Sequence, residues 1–148
     1  MNAVTFANCL GQLLAPVLLA IRATGFFEWW VAADYDIARA QAVVDRVDDP
    51  RFAAAALDAS SAEDVADLCR EHRITHVLNA VDPRFVMPIF LACEIENTNY
   101  MDMAMSLSRP HPQYPYTETG VKLGDEQFAR DWNWSERGIW ALVGIGIE

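Results

Sequence analysis

The chain has 148 residues, 53% of them apolar and 22% charged, which is one domain's worth of core and excludes a disordered polymer. Its formal net charge is −10 and no basic stripe runs along it, so a nucleic-acid partner is excluded, because a phosphate backbone needs clustered Lys and Arg. Three cysteines, Cys9, Cys69 and Cys93, lie far apart with no CxxC pair; they read as buried free thiols of a reducing, cytoplasmic compartment, and a zinc ribbon is not indicated.

No charged side chain occurs between Met1 and Ile21, a run just long enough for a membrane span. Pro16 interrupts it and no basic residue precedes it, so it reads instead as a buried strand, Val4–Ala7, followed by a buried helix, Leu10–Ala23, and no membrane partner is expected. A second strand runs over Trp29–Ala33 and ends at Asp34. Asp36 is placed to cap the next helix, whose inward stripe is Ile37, Ala40, Val44 and Val47 until Asp48, Asp49 and Pro50 break it. Phe52–Leu57 is a third strand, and Ser60 with Glu63 makes a capping-box pattern for a helix carrying Val65, Leu68 and Cys69 inward.

Ile74–Val81 reads as a fourth strand. Asp82-Pro83 starts a helix continued by Phe85, Ile89, Phe90 and Cys93, proline standing at the first helical position where no amide hydrogen is needed. Asn99–Ala104 is a fifth strand, residues 105–121 are Pro-rich and irregular, and Lys122–Arg137 is an amphipathic helix stopped by Gly138. Ile139–Ile147 is a last buried strand. Apolar strands alternating with helices predict an α/β, Rossmann-like doubly wound parallel sheet of about six strands with helices on both faces. Ligands of such sheets sit at the carboxyl ends of the strands near the switch in strand order, so the candidate residues are those at strand ends.

Asp34 ends the second strand, where a carboxylate can accept hydrogen bonds from the hydroxyls of an adenosine ribose and repel a 2′-phosphate, favouring NAD over NADP; the other reading is a loop cap. Asp58 ends the third strand, where it can meet the adenine edge or merely cap a helix. Asn79, Ala80 and Val81 end the fourth, where backbone passes close to a cofactor and a small residue keeps the path open. Asp102 ends the fifth, as a contact to a nicotinamide ring or a substrate amine, or as a loop carboxylate. The first turn, Asn8-Cys9-Leu10-Gly11-Gln12-Leu13-Leu14, holds one glycine, Gly11, where a dinucleotide fingerprint needs three for a tight turn and close backbone approach. Taken alone it argues against tight dinucleotide binding. His72, His76 and His111 are not spaced as metal ligands, and no P-loop, GxSxG or HExxH motif occurs. The five tryptophans read as packing, and Ser108-Arg109-Pro110-His111-Pro112 as a surface loop or as a lid carrying a substrate-binding arginine.

The runs Val31-Ala32-Ala33-Asp34-Tyr35-Asp36, Ile74-Thr75-His76-Val77-Leu78-Asn79-Ala80-Val81-Asp82-Pro83, Tyr100-Met101-Asp102-Met103-Ala104 and Leu142-Val143-Gly144-Ile145-Gly146 resemble, in order and spacing, the amino-terminal domain of saccharopine dehydrogenase-like oxidoreductases, a group that includes saccharopine reductases and lysine 6-dehydrogenases. The resemblance implies an NAD- or NADP-binding domain serving hydride transfer at a carbon bearing an amino group. It implies Asp34 as ribose ligand, Asn79 and Ala80 as cofactor-lining residues, and Asp102 near the nicotinamide. The family's first-turn glycines are not matched. In relatives a second domain follows that holds the amino-acid substrate and supports dimerisation. The expectation is therefore that residues 1–148 form the dinucleotide-binding domain of an amino-acid oxidoreductase, a piece of a longer protein without its substrate domain and inactive by itself. The alternative is a Rossmann-like module that no longer binds nucleotide and acts in association, through a sheet edge that allows a homodimer.

Overall fold

The computed structural model describes residues 1–6 and 11–145, with side chains from residue 16 onward in the first helix. Six strands, β1 (Asn2–Phe6), β2 (Trp29–Asp34), β3 (Phe52–Ala56), β4 (His76–Asn79), β5 (Asn99–Asp102) and β6 (Ala141–Leu142), form one sheet in the order β3-β2-β1-β4-β5-β6. Every adjacent pair is parallel. The helices are α1 (Gly11–Arg22), α2 (Ile37–Val47), α3 (Ala62–Glu71), α4 (Val86–Ile95), α5 (Asp125–Phe128) and α6 (Asp131–Glu136). Strand order reverses between β1 and β4, the place where a doubly wound sheet receives its ligand at the carboxyl ends of the strands.

The period-two alternation of strand side chains splits the core in two. Val4, Phe6, Val31, Ala33, Val77 and Tyr100 face α3, α4 and α6, while Ala3, Trp30, Ala32 and Phe52 face α1 and α2. Trp30 donates its indole N–H to the buried Thr5 hydroxyl at 2.9 Å, satisfying both polar groups inside the second layer. The expected doubly wound sheet is thus present. No helix among the described residues is long and apolar enough to cross a membrane. Cys69 and Cys93 are buried free thiols as expected, burial pushing the Cys69 thiol up to about 12; Cys9 lies outside the described residues.

Several sequence expectations shift. The α2 stripe is Ala40, Val43 and Val47, with Ile37 turned to solvent and Val44 at the margin. The cap of α3 is Ser61, whose hydroxyl accepts the Asp64 N–H, and not Ser60, because Ser60 donates to Asp58 instead. β1 starts two residues earlier than expected, at Asn2, and Ala7 lies outside the described residues; β3, β4 and β5 are shorter than the apolar runs that mark them, Leu57, Ala80 and Val81 continuing past the strand ends into connections. The helix expected over Lys122–Arg137 is two short ones: the chain turns at Arg130, whose guanidinium reaches back to the buried Glu94. Gly138 does close α6, in the left-handed region at φ 66°. Of the strand expected over Ile139–Ile147, Ala141–Leu142 pair with β5 among the described residues, Gly144 takes φ 69°, and residues 146–147 lie outside the described residues.

β3 is an edge strand of sequence Phe-Ala-Ala-Ala-Ala, and the groove beside it is lined by Asp58, Asp64, Asp67, Glu71 and His72. At its start Arg51 clasps Asp49, donates to the Arg22 carbonyl at the end of α1, and lies over the Phe27 ring at 4.3 Å.

Two outcomes follow from these contacts. Ser61→Ala lowers unfolding stability by about 1 kcal/mol, read by denaturant titration, through loss of one helix cap. The Arg51 side-chain hydrogen bonds, then its backbone N–H, lower Asp49 from 3.8 to about 2, so its stabilising contribution is complete above the unfolded-state value and is lost as pH falls through the folded-state one. The stability difference between the wild type and Asp49→Asn therefore stays constant from neutral pH to about 4 and shrinks between about 4 and 2, as acid titrations of both proteins will read.

Candidate functional site

The carboxyl ends of β1, β2 and β3 and the β4–α4 connection enclose a cleft of about 220 Å³ lined by Phe6, Ala33, Asp34, Tyr35, Leu57, Asp58, Ala59, Ser60, Val81 and Phe85. Its walls are apolar: Phe6, Leu57, Val81 and Phe85 surround a slot kept open by the small Ala33 and Ala59. The charged groups that line it are the carboxylates of Asp34 and Asp58, with Tyr35 and Ser60 beside them. Asp34, the last residue of β2 and 8% exposed, accepts the Asp36 N–H at 2.9 Å on Oδ1. Asp36 in turn caps α2, its Oδ1 accepting the Ala38 N–H at 2.9 Å, so the turn that presents Asp34 is fixed by two successive carboxylate–amide bonds.

Asp58 is exposed and accepts both the Ser60 hydroxyl, at 2.6 Å, and the Ser60 N–H, at 2.9 Å. These bonds, the hydroxyl's first, hold it below the usual carboxylate range, so it stays a pure acceptor through neutral pH. Among the described residues no Lys or Arg lines this cleft. An apolar slot with two carboxylate acceptors at its rim suits the chemistry of a neutral ring carrying donors, such as an exocyclic amine and a vicinal diol. Beside it, an open surface is shared by Asp34, Tyr35, Asp36, Ile37 and Arg39, the Arg39 Nε lying 3.7 Å from the Asp36 carboxylate.

Of the residues singled out in the sequence, the cleft brings together Asp34, Asp58 and Val81. Gly11 opens α1, and residues 8–10 of the glycine-poor turn lie outside the described residues. Asn79, Ala80 and Asp102 do not line the cleft. Asn79 is buried; its amide donates to the Tyr100 hydroxyl at 2.8 Å and its Oδ1 accepts the Val81 N–H at 3.1 Å. Asp102 is fully buried, Oδ2 accepting from the Tyr100 hydroxyl at 2.9 Å and from the Gln127 amide at 2.7 Å, and Oδ1 from the Gly144 N–H at 2.6 Å. Burial raises its pKa, and the three donors hold part of the rise back. Arg109, weighed as a lid residue, is held by Glu126 through two hydrogen bonds of 2.7 and 3.3 Å. His76 lies in β4 with both ring nitrogens engaged, by Thr75 and Asn99, and no cluster of potential metal ligands occurs among the described residues.

Tyr100 and Gln127 are the polar residues that sequence reasoning missed. Tyr100 had a signal: it stands two residues before Asp102, on the same face of β5, and Asp102 pairs in register with Asn79. Gln127 had none, because the path from β5 to α5 follows no period.

A family model described as the saccharopine dehydrogenase NADP binding domain matches residues 9–142. A search of the curated proteins found no match. Among solved structures, the chain is similar to apo saccharopine dehydrogenase (L-Glu forming) from Saccharomyces cerevisiae, with TM-score 0.69 and 14% identity over 98% of this chain and 27% of that one. It is similar to a short chain dehydrogenase from Mycobacterium smegmatis, with TM-score 0.61 and 17% identity over 99% of this chain and 81% of that one. A binary complex of leucoanthocyanidin reductase with NADPH from Vitis vinifera gives TM-score 0.56 and 13% identity over 97% and 47%. These likenesses share the fold, and the chain spans about a quarter of the length of the yeast enzyme and just under half of the plant one.

Filling the slot separates its role from that of the scaffold. Ala59→Trp weakens adenosine binding by more than tenfold (about 1.4 kcal/mol) while leaving the circular dichroism spectrum unchanged; undiminished binding, read by calorimetry, means that the ring lies elsewhere.

Proposed function

The chain belongs to the saccharopine dehydrogenase NADP-binding domain family, and from that premise we propose that it is the cofactor half of an oxidoreductase acting at an amino-bearing carbon of an amino-acid substrate, with NAD preferred to NADP. The family makes it a nicotinamide dinucleotide-binding domain of Rossmann form. The observation that carries the finer reading is the carboxylate pair at the strand ends. Asp34 and Asp58 sit on one apolar slot at the reversal of strand order, where a doubly wound sheet receives an adenosine.

In this reading Leu57, Val81 and Phe85 pack against the adenine, Asp58 accepts from its exocyclic amine, and Asp34 accepts from the ribose hydroxyls. A 2′-phosphate would bring two negative charges beside Asp34, so the preference runs toward NAD. Arg39 favours a second reading: it shares the open surface beside Asp34 and can turn from Asp36 toward a 2′-phosphate, which would suit the NADP of the family's description. The bound nicotinamide supplies hydride exchange. The chain's own residues bind and orient the adenosine end, and substrate binding belongs to parts of the enzyme beyond the length matched here.

Titration with NAD and with NADP decides between the readings. NAD binds at least about tenfold more tightly than NADP, and Asp34→Ala erases the difference. Equal or tighter binding of NADP by the wild type, weakened by Arg39→Ala, overturns the NAD preference in favour of the second reading.

A further inference from the structure

Between the cleft and the carboxyl-terminal segment runs one unbroken series of side-chain hydrogen bonds. It starts at the Val81 N–H, on the cleft wall, which donates to Asn79 Oδ1. The Asn79 amide donates to the Tyr100 hydroxyl, and that hydroxyl donates to Asp102 Oδ2. Asp102 then gathers the far segment: Oδ1 accepts the Gly144 N–H, its main-chain carbonyl accepts the Ile145 N–H at 3.1 Å, and Oδ2 accepts the Gln127 amide. The Gln127 carbonyl accepts the Ser106 N–H at 2.7 Å, so both ends of the segment that crosses back from β5 hang on the same carboxylate.

Each member is locked. Asn79, Tyr100, Asp102, Ser106 and Gln127 are all at most 3% exposed. Tyr100 is wedged edge-on against Phe90 at 5.2 Å and Trp134 at 6.3 Å between ring centres, so its hydroxyl has one orientation in the sheet. Burial, then the neighbouring Asp102 charge, keep that hydroxyl protonated far above neutral pH, so it remains a donor to Asp102 while it accepts from Asn79. At Gly144 a side chain would meet Met105 at 2.4 Å and be strained at φ 69°, so the amide that reaches Asp102 depends on glycine.

We propose that Tyr100 is a positioning residue for the cleft: through Asn79 it sets the β4–α4 connection that carries Val81, and through Asp102 it couples that connection to residues 103–145. The proposal rests on the cleft being the adenosine site. None of Asn79, Tyr100 or Asp102 lines the cleft, so any effect on the ligand passes through the series. A ligand that holds Val81 in place favours the arrangement in which Asn79, Tyr100 and Asp102 are bonded, and the segment tightens. By reciprocity, loosening the segment weakens the ligand by the same factor. Because parts of the segment stand beside the strand ends, the coupling gives the protein a means of signalling adenosine occupancy to whatever packs on that segment.

The test is amide hydrogen exchange of the whole chain with and without ADP-ribose, paired with calorimetry. In the wild type, ADP-ribose slows exchange at Gly144, Ile145 and Ser106, which lie outside the cleft. Tyr100→Phe keeps the ring but breaks the series; it binds ADP-ribose about tenfold more weakly, within the range usual for coupled sites, and loses the ligand-dependent protection at Gly144 and Ile145. A purely structural role would lower the melting temperature and leave both readouts unmoved, which overturns the proposal. Should the variant fail to fold, the wild-type exchange alone decides: unchanged rates at Gly144 and Ile145 on saturation with ADP-ribose overturn it. Failure of the wild type to bind ADP-ribose at all refutes the adenosine reading itself, and the positioning role with it.

Discussion

Asp102 holds its carboxylate out of water among neutral donors, and the far half of the sheet is arranged to meet that demand. A buried carboxylate without compensation is costly enough that the group would otherwise take up a proton or the structure would rearrange. Three hydrogen bonds to a charged acceptor, each contributing about 1.5–3 kcal/mol, oppose that cost. Their donors come from β5 itself, from α5 and from the turn after β6. This bonding adds to the Arg130–Glu94 pair and the Trp134–Phe90 stack beside the short helices, and to the pairing of β6 with β5. A loop that began as an irregular, proline-rich excursion ends at a defined position because one acid at the end of β5 needs donors.

The same strand end also explains the separation of duties around the crevice. On the β2–β3 side the acids Asp34 and Asp58 are tied, among the described residues, to neighbours in their own turns, so lone pairs stay open beside the cleft. On the β4–β5 side Asn79 and Asp102 are saturated by the protein. Position at a strand end is therefore shared by residues of opposite kinds: those whose lone pairs stay open beside the cleft and those that hold the frame.

Much of this was legible in the sequence. Alternation of apolar strands with helices marked the doubly wound class, and Asp34 stands on the cleft because it ends a buried strand just before a capped helix. What was not legible had local causes. Ser60 and Ser61 each precede an acid by three residues, so the capping box fits twice, and only the demand of Asp58 for a donor removes Ser60 from the contest. Val43 and Val44 fit the same helical stripe within one residue, and the tilt of α2 on β2 and β3 chooses between them. Sequence gives Asn79 and Asp102 as strand ends but not the neighbours their side chains bond to. The run from Ile139 reads as one long strand because hydropathy does not register the turn at Gly144.

The edge of the sheet has a consequence for how copies of this chain meet. β3 carries neither a charge nor a proline along Phe52–Ala56, and such an open row of amides and carbonyls invites a second strand. Its guard stands alongside, in Asp58, Asp64, Asp67 and Glu71, on a molecule already at −10. Two such edges repel before they can pair, but only across a distance set by dissolved ions, about 8 Å at physiological ionic strength and about 3 Å at 1 M. Salt is thus the natural antagonist of this protein's dispersal: the shield that keeps edges apart thins as the buffer thickens, and the alanine strand is where crowding would first turn into cross-strand adhesion.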